Sequence, residues 1–219
     1  DGLPGAGLVT KNDPRTGRAI WTSARLDHYP HSSVAVDASG GRVFVGANDG
    51  VFRAYDADTG DLLWSRDLEP GDEPDPPTAD IKTTPAVSAA LGLVVFGTWD
   101  RHVYALNIDD GTVAWSVDTG GPLMGSAALH EETERVYVGT NARRDALLAI
   151  DLRTGDVVWR FDAGAGIQSS PAVDDRGEGV VVGASDGRLW GLDAATGAPR
   201  WSFRADGPLT ASPAWVGRN

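Results

Sequence analysis

The sequence predicts an all-β propeller of four-stranded antiparallel blades, and three observations support this prediction. An eleven-residue pattern occurs five times, with Asp or Asn four residues before a Gly and that Gly four residues before a Trp. The tryptophans are 43, 51, 44 and 42 residues apart, a period typical of propellers. Two further strand-like segments precede the pattern in each full period. The five tryptophans are Trp21, Trp64, Trp115, Trp159 and Trp201.

The repeated pattern predicts a β-hairpin. In the copy at residues 54–64, the Asp56 side chain can fold back on the backbone while Gly60 takes a positive φ. Because each Trp follows a strand with a small residue, usually Ala, we expect its ring to dock on a neighbouring repeat. Two copies depart from the pattern. Lys11 replaces the small residue, which we expect to weaken docking of Trp21, and Asp110 replaces Thr.

Each full period contains four predicted strands. A short strand of small residues comes first, a nearly continuous apolar strand ending in Gly comes second, and the two hairpin strands complete the unit. The sequence therefore predicts one propeller domain over residues 1–219, or a segment of one. The predicted complete blades are residues 31–66, 82–118, 124–162 and 168–204.

Residues 8–22 carry only the last two strands of a blade, and residues 210–216 only the first strand of another. Two explanations are open. The two half blades can pair as a split fifth blade that closes a ring, or the chain can be a segment of a longer array. The start at Asp1 rather than Met and the stop within a repeat favour the segment.

Composition excludes several classes of function. The net charge of −12 argues against nucleic acid and anionic membranes as partners. The sequence contains no Cys, so disulfides and thiolate metal sites are excluded. No apolar run approaches the length needed to span a membrane, and no signal peptide is visible.

The repeat, with its "SPAV", "VYVG" and "ALD…TG…W" segments, resembles the pyrroloquinoline-quinone-type propeller repeat with its tryptophan-docking motif. It is similar to quinoprotein dehydrogenases and, more closely, to BamB-type outer-membrane assembly propellers. The resemblance covers nearly the whole chain and implies the fold. It also implies a periplasmic, extracellular or cell-envelope location. It does not by itself assign a function, since enzymes and scaffolds share this repeat.

The resemblance implies that a quinone-dependent enzyme would stack its cofactor on a Trp, hold calcium through Glu, Asn and Asp, and carry a vicinal disulfide. We find no such calcium-ligand cluster, and we expect no cofactor. The acidic run Asp56–Asp61 is weakly similar to a calcium loop, but its sister copies lack the extra acids, so a hairpin turn is favoured. His28 and His31 lack a third ligand and are interpreted as polar loop residues. No Ser/His/Asp set can be assembled, and His102 and His130 lie in different repeats.

The remaining candidate is the face on which the loops after strands two and four of each blade converge. The long insertion at residues 69–80, rich in Pro and Asp, also belongs there as a solvated loop or a lid. An exposed Trp flanked by Arg is typical of interface hot spots. An alternative is that the Arg pair merely neutralises the acidic insertion. The predicted binding face comprises Trp99, Asp100, Arg101, Arg143, Arg144, Lys82, Gln168 and His31.

The sequence thus predicts a non-catalytic binding or scaffolding module for a protein or small ligand such as an acidic peptide or anionic sugar. BamB-like propellers and the sensor propellers attached to bacterial kinases are the models for such a module. The alternative is a fragment of a quinoprotein dehydrogenase whose cofactor residues lie outside these 219 residues.

Overall fold

The computed structural model describes residues 7–28, 30–37, 39–68 and 79–216. These residues contain strands and no helix. The strands are β1 (Thr10–Asn12), β2 (Ala19–Thr22), β3 (Ala35–Val36), β4 (Arg42–Gly46), β5 (Val51–Asp56), β6 (Leu62–Asp67), β7 (Ala86–Ser88), β8 (Leu93–Gly97), β9 (His102–Asn107), β10 (Val113–Asp118), β11 (Ala128–His130), β12 (Arg135–Gly139), β13 (Leu147–Asp151), β14 (Val157–Phe161), β15 (Ala172–Val173), β16 (Gly179–Gly183), β17 (Arg188–Asp193) and β18 (Pro199–Arg204).

The strands form four four-stranded antiparallel sheets, each with its strands in sequence order. We number these sheets as blades one to four: β3–β6, β7–β10, β11–β14 and β15–β18. Strands β1 and β2 form a separate hairpin before blade one. This architecture confirms the predicted all-β fold of propeller blades.

The burial of the strands follows their order in each blade. The second strand is almost entirely buried, as in β8, whose five residues are all buried. The fourth, outer strand is mostly exposed to solvent, as in β6 and β10. Near-continuous apolar runs therefore mark strands covered on both faces, whereas the outer strand has one face toward solvent.

The core lies between the blades rather than within any one of them. Phe52 of blade one stacks on Phe96 of blade two with ring centroids 4.0 Å apart. Separate apolar clusters fill the boundaries between the hairpin and blade one, and between blades one and two, two and three, and three and four. Each blade thus buries its apolar faces only against its neighbours, as expected of a repeat protein.

The hairpin turns form as the repeated pattern predicts. The Asp56 carboxylate accepts hydrogen bonds from the amides of Asp58 and Thr59, at 2.9 and 2.8 Å. Gly60 has a φ of +78°. In blade two, where Asp110 replaces Thr, its own carboxylate accepts the Thr112 amide at 2.9 Å, so the turn is kept by another acceptor.

Lys11 does not displace the indole of Trp21, contrary to the expectation of weakened docking. The Trp21 Nε1 donates to the Ala57 carbonyl at 3.0 Å, and the Lys11 ammonium donates to the same carbonyl at 2.8 Å. The ammonium also pairs with Asp58 at 3.1 Å. The flexible stem of the lysine reaches past the ring, and its charge adds a bond to the next blade.

Residues 210–216, the predicted half blade, form no strand. A strand requires a ladder partner, and no second strand follows it among the described residues. The segment nevertheless lies where the first strand of a further blade would lie. The Ser212 hydroxyl accepts a hydrogen bond from the Ser170 amide of blade four at 2.9 Å. The same bond joins Ser126 to Ser170 between blades three and four.

Candidate binding face

A belt of backbone hydrogen bonds brings two sets of loops to one face of the propeller. One set joins the second and third strands of each blade, and the other joins each blade to the next. We call this surface the loop face. Its bonds are Ile81 N to Ala47 O (3.2 Å), Trp99 N to Asp80 O (2.9 Å), Leu123 N to Thr98 O (3.2 Å), Asn141 N to Pro122 O (2.9 Å), Ile167 N to Thr140 O (2.8 Å), Ser185 N to Gly166 O (2.9 Å) and Leu209 N to Ala184 O (3.1 Å).

Lys82 and Trp99 contact each other on the loop face. The Lys82 ammonium lies 4.0 Å from the centroid of the Trp99 ring, within the range of a cation–π interaction. The same ammonium lies 3.5 Å from the Asp80 carboxylate. The half-buried ring therefore contacts a cation, and its backbone is part of the hydrogen-bonded belt.

Asp100, predicted as part of the binding surface, is 3% exposed and has a structural role instead. Its carboxylate accepts the Thr98 hydroxyl and lies 3.6 Å from the His102 imidazole. Burial first, and then the charge on Asp100, raise the pKa of Tyr104 to about 12. The cluster therefore stabilises the loop rather than presenting a carboxylate to a partner.

Arg101 has an unusual backbone conformation. Its φ is +76°, in the left-handed region that favours glycine. The equivalent positions of blades one and four are Gly50 and Gly187, with φ of +72° and +87°. Strained residues of this kind concentrate at functional sites, and the side chain of Arg101 is exposed on the loop face.

The loop of blade three carries the predicted Arg143 and Arg144. It is two residues longer than its equivalents, because Gly139 pairs with Leu147, whereas Gly97 pairs with Val103. Both arginines are exposed and make no ion pair with the residues that the structure describes. Asp145 follows them with a φ of +52°.

The carboxylates of the equivalent loops are instead paired. Asp49 accepts both guanidinium nitrogens of Arg53, at 3.1 and 2.6 Å, and Asp186 lies 3.8 Å from Arg188. The blade three loop thus presents two arginines that form no ion pair with the described residues. Together with Arg101 of the neighbouring blade they form what we call the cationic island, Arg101, Arg143 and Arg144.

Gln168 and His31 lie in the connections that precede blades four and one. Gln168 is half-buried, and His31 is exposed. Both precede a ring of hydroxyl side chains that links the first strands, for example Thr84 N to Ser126 Oγ at 2.9 Å. Residues 69–78 of the predicted insertion lie outside the described residues.

An open cleft at the edge of blade four was missed by the sequence reasoning. It has a volume of about 580 Å³ and lies between the loop of blade four and the chain that follows β18. Its polar lining includes Asp186, Arg204 and Asp206. Asp186 lies in a turn that resembles those of the other repeats and Arg204 ends β18, so no sequence signal singled these residues out.

Comparison with known proteins places the chain in a family. The model described as "Outer membrane protein assembly factor BamB" matches residues 5–142 and 124–219. The chain belongs to this BamB family. The resemblance inferred from the repeats is thereby confirmed.

Two curated members of the BamB family show the extent of the similarity. BamB of Nitrosomonas eutropha is 32% identical over 143 residues, which cover 65% of this chain and 29% of that protein. BamB of Bordetella pertussis is 31% identical over 121 residues, covering 54% of this chain and 27% of that protein. The chain thus spans less than a third of the length of these relatives.

The solved structures agree on the fold. BamB from Moraxella catarrhalis superimposes with a TM-score of 0.76 at 21% identity, covering 94% of this chain and 61% of that one. A quinohemoprotein alcohol dehydrogenase from Comamonas testosteroni gives 0.74 at 19% identity, covering 90% of this chain and 40% of that enzyme. Both BamB-like proteins and quinoproteins therefore share this architecture.

The described residues do not fit the metal site of a quinoprotein. No group of three or more His, Asp or Glu side chains among them is placed to hold a metal ion. The acidic run of blade one is used by its turn: Asp56 accepts backbone amides, and Asp61 accepts the Thr59 hydroxyl at 2.8 Å. The described part of the chain also has no helix that could cross a membrane.

Proposed function

We propose that this chain is part of a non-catalytic binding scaffold whose loop face recognises a protein in the cell envelope. The observation that carries the proposal is the cationic island, three exposed guanidinium groups on neighbouring blades without ion pairs in the described residues. The Trp99 ring on the same face adds an aromatic contact surface. Arg and Trp are the residue types that dominate the binding energy of protein interfaces.

The charge of the chain supports an acidic segment as the recognised element. The net charge is −12, so a local cluster of arginines is a positive region on an otherwise acidic protein. Such a region steers an acidic partner and increases the association rate. On the opposite face some arginines are paired with carboxylates, as Arg153 is with Glu134 and Arg135 with Asp151.

Membership of the BamB family supports a role in outer membrane protein assembly, since the relatives are named as assembly factors for that process. We therefore propose that the partner is a protein of the cell envelope. Scaffolds with rigid blades and variable loops suit this role because binding residues on loops are held by a stable framework.

Site-specific crosslinking in cells tests the proposal. A photoreactive amino acid at Arg144 is expected to give a discrete adduct with one envelope protein. The matched control carries the same amino acid at Arg153, which lies on the opposite face beside Glu134. Adducts of equal yield at both positions, or none at Arg144, would contradict binding through the loop face.

The affinity for the crosslinked partner then tests whether the predicted residues of the loop face contribute to binding. Replacing Trp99, Arg143 and Arg144 together with Ala should weaken binding at least about tenfold, which corresponds to about 1.4 kcal/mol. An Arg153→Ala variant should bind like the wild type. If the triple variant folds normally and binds with unchanged affinity, the partner does not bind through these residues.

The second candidate function is a fragment of a quinoprotein dehydrogenase. The observation in its favour is a segment that is 38% identical over 58 residues to the quinoprotein alcohol dehydrogenase PedE of Pseudomonas putida, covering 26% of this chain and 9% of that enzyme. Titration with pyrroloquinoline quinone and calcium separates the two. We expect no saturable binding and no alcohol-dependent dye reduction. Stoichiometric binding would favour the enzyme.

A further inference from the structure

The chain between blades two and three, residues 119–123, is hydrogen-bonded to the loops on both sides of it. We call these residues the connecting segment. On the side of blade two, the Thr119 amide donates to the Arg101 carbonyl at 2.8 Å. On the side of blade three, the Pro122 carbonyl accepts the Asn141 amide at 2.9 Å. The connecting segment therefore links the two loops whose arginines form the cationic island.

The side chain of Thr119 adds polar contacts to this link. Its hydroxyl lies 2.8 Å from the Arg101 carbonyl and 2.9 Å from the Gly121 carbonyl. The Arg101 carbonyl thus receives both the amide and the hydroxyl of one residue. Thr119 is only 1% exposed. Because a buried polar group without a partner is costly, these contacts fix the connecting segment relative to Arg101.

The hydroxyl at this position departs from the other repeats. In blades one and four the equivalent amides belong to apolar residues: Leu68 donates to Gly50 at 3.1 Å, and Ala205 donates to Gly187 at 2.8 Å. Both acceptors are glycines at the position of Arg101. Blade two therefore has a hydroxyl and an arginine where these two blades have an apolar side chain and a glycine.

The backbone of Arg101 explains why the two departures occur together. Its φ of +76° is unfavourable for a residue with a Cβ. Such a conformation persists only where the surroundings hold it in place. The two donors of Thr119 on the Arg101 carbonyl hold it in this way. The position of the Arg101 side chain on the loop face thus depends on the connecting segment.

The arginine loop of blade three packs against the same segment. A Cβ added to Gly121 would fall 2.5 Å from the Ala142 nitrogen and 2.8 Å from its Cα, so the two backbones are in direct contact. Ala142 immediately precedes Arg143, and its amide donates to the Thr140 hydroxyl at 3.2 Å. The base of this loop is therefore fixed both by its own hydrogen bond and by the connecting segment.

We propose that Thr119 is a positioning residue that holds Arg101 and the loop of Arg143 and Arg144 together as one site for an acidic peptide. The proposal rests on the function proposed above and specifies how that site is built. Neighbouring carboxylates of one peptide contact arginines of both blades, across the boundary between blades two and three. Thr119 is buried and does not touch the peptide. Because the arginines act on one ligand in a fixed geometry, their contributions to binding are coupled rather than independent.

A double-mutant cycle on the 219-residue chain tests this coupling. The probe is a fluorescent oligoglutamate peptide, and its affinity is measured by fluorescence anisotropy at low and at moderate salt. Arg101→Gln and Arg144→Gln should each weaken binding. The loss of affinity in the double variant should be at least about twofold smaller than the product of the two single losses.

The same cycle is then repeated with Thr119 replaced. Thr119→Val keeps the size of the side chain and should weaken peptide binding roughly threefold, the order expected for one lost hydrogen bond, and abolish the coupling. If it does not fold, Thr119→Ala, which introduces the residue found at the position of Ala205, gives the same comparison. Thr119→Ser keeps the hydroxyl and should restore both affinity and coupling. As a control, Ser169→Ala removes another buried hydroxyl, bonded to Gly183 at 3.0 Å, and should bind like the wild type.

The outcomes distinguish failure of the positioning role from failure of the proposed function. A wild type that does not bind the peptide, or binding that is insensitive to both arginines, would overturn the acidic partner and the positioning role together. Single losses that multiply independently in the wild type would overturn the positioning role alone. So would a Thr119→Val protein that keeps the coupling, because Thr119 would then contribute only to stability, which thermal unfolding of the same variants measures.

Discussion

Trp115 and Gly155 lie in direct contact across the boundary between blades two and three. A Cβ added to Gly155 would fall 2.8 Å from the Trp115 Cγ, and the indole donates to the Leu152 carbonyl at 2.9 Å. Trp115 is only 8% exposed. The indole thus fills the boundary and satisfies a backbone acceptor at the same time, which links the repeated sequence pattern directly to the cohesion of the propeller.

Replacing Trp115 with Ala should reduce the free energy of unfolding by about 3–5 kcal/mol, the range for truncation of a buried aromatic side chain. The measurement is denaturant unfolding at low protein concentration. Trp201→Ala serves as the matched control, because the same residue type occupies the same position without a covering blade. It should cost about 0.5 kcal/mol or less. Equal losses of unfolding free energy in the two variants would show that the contact between blades is not what Trp115 contributes to stability.

The glycines allow strain and crowding to be separated. Gly155 and Gly17 both have a positive φ, +80° and +69°, so Ala at either position is strained by about 1–2 kcal/mol. Only at Gly155 would the added methyl group also collide with an indole. Gly155→Ala should therefore lose about 1–3 kcal/mol more than Gly17→Ala. Equal losses, measured by denaturant unfolding, would show that the indole gives way without cost.

Much of the fold follows from local sequence signals. The spacing of Asp or Asn, Gly and Trp specifies the hairpins, because the turn is made by side-chain acceptors and a glycine within five residues. What the pattern cannot specify is whether a neighbour is present. Trp201 occupies the same position of the pattern as Trp115, yet it is exposed, since docking depends on residues of another blade.

The candidate face was partly predictable for the same reason. Arg143 and Arg144 were predicted on this face, and the structure leaves them exposed. Asp100 was grouped with them by its position in the chain, but its side chain is buried against Thr98. The direction in which a loop side chain points depends on tertiary contacts. Alignment of the repeats would, however, have revealed Arg101 at a glycine position.

Acid should destabilise the hairpin turns. Hydrogen bonds from Arg200 and Thr196 lower the pKa of Asp193 from 3.8 to about 2, and amide donors, first that of Thr59, lower the pKa of Asp56. A carboxyl group whose pKa is lower in the folded state stabilises fully above its unfolded pKa. Stability should therefore decrease as the pH falls from about 4 to about 2.

Asp193→Asn provides the test of this assignment. Blade two already has Asn107 at the equivalent position of its turn, so the amide is compatible with the hairpin. The variant should lose less stability than the wild type between these pH values, as measured by thermal unfolding at several pH values. An identical loss in both proteins would assign the acid sensitivity to other carboxylates.

Arg101 offers a prediction that separates stability from binding. Its φ of +76° costs about 1–2 kcal/mol for a residue with a Cβ, and the equivalent positions are Gly50 and Gly187. Arg101→Gly should therefore raise the free energy of unfolding by about 1 kcal/mol. Because a guanidinium of the cationic island is removed, affinity for the partner crosslinked at Arg144 should fall. Arg144→Gly is the control. Arg144 has no positive φ, so this change should weaken binding without any gain in stability. A more stable Arg101→Gly protein with unchanged affinity would show that the strained arginine is not retained for binding.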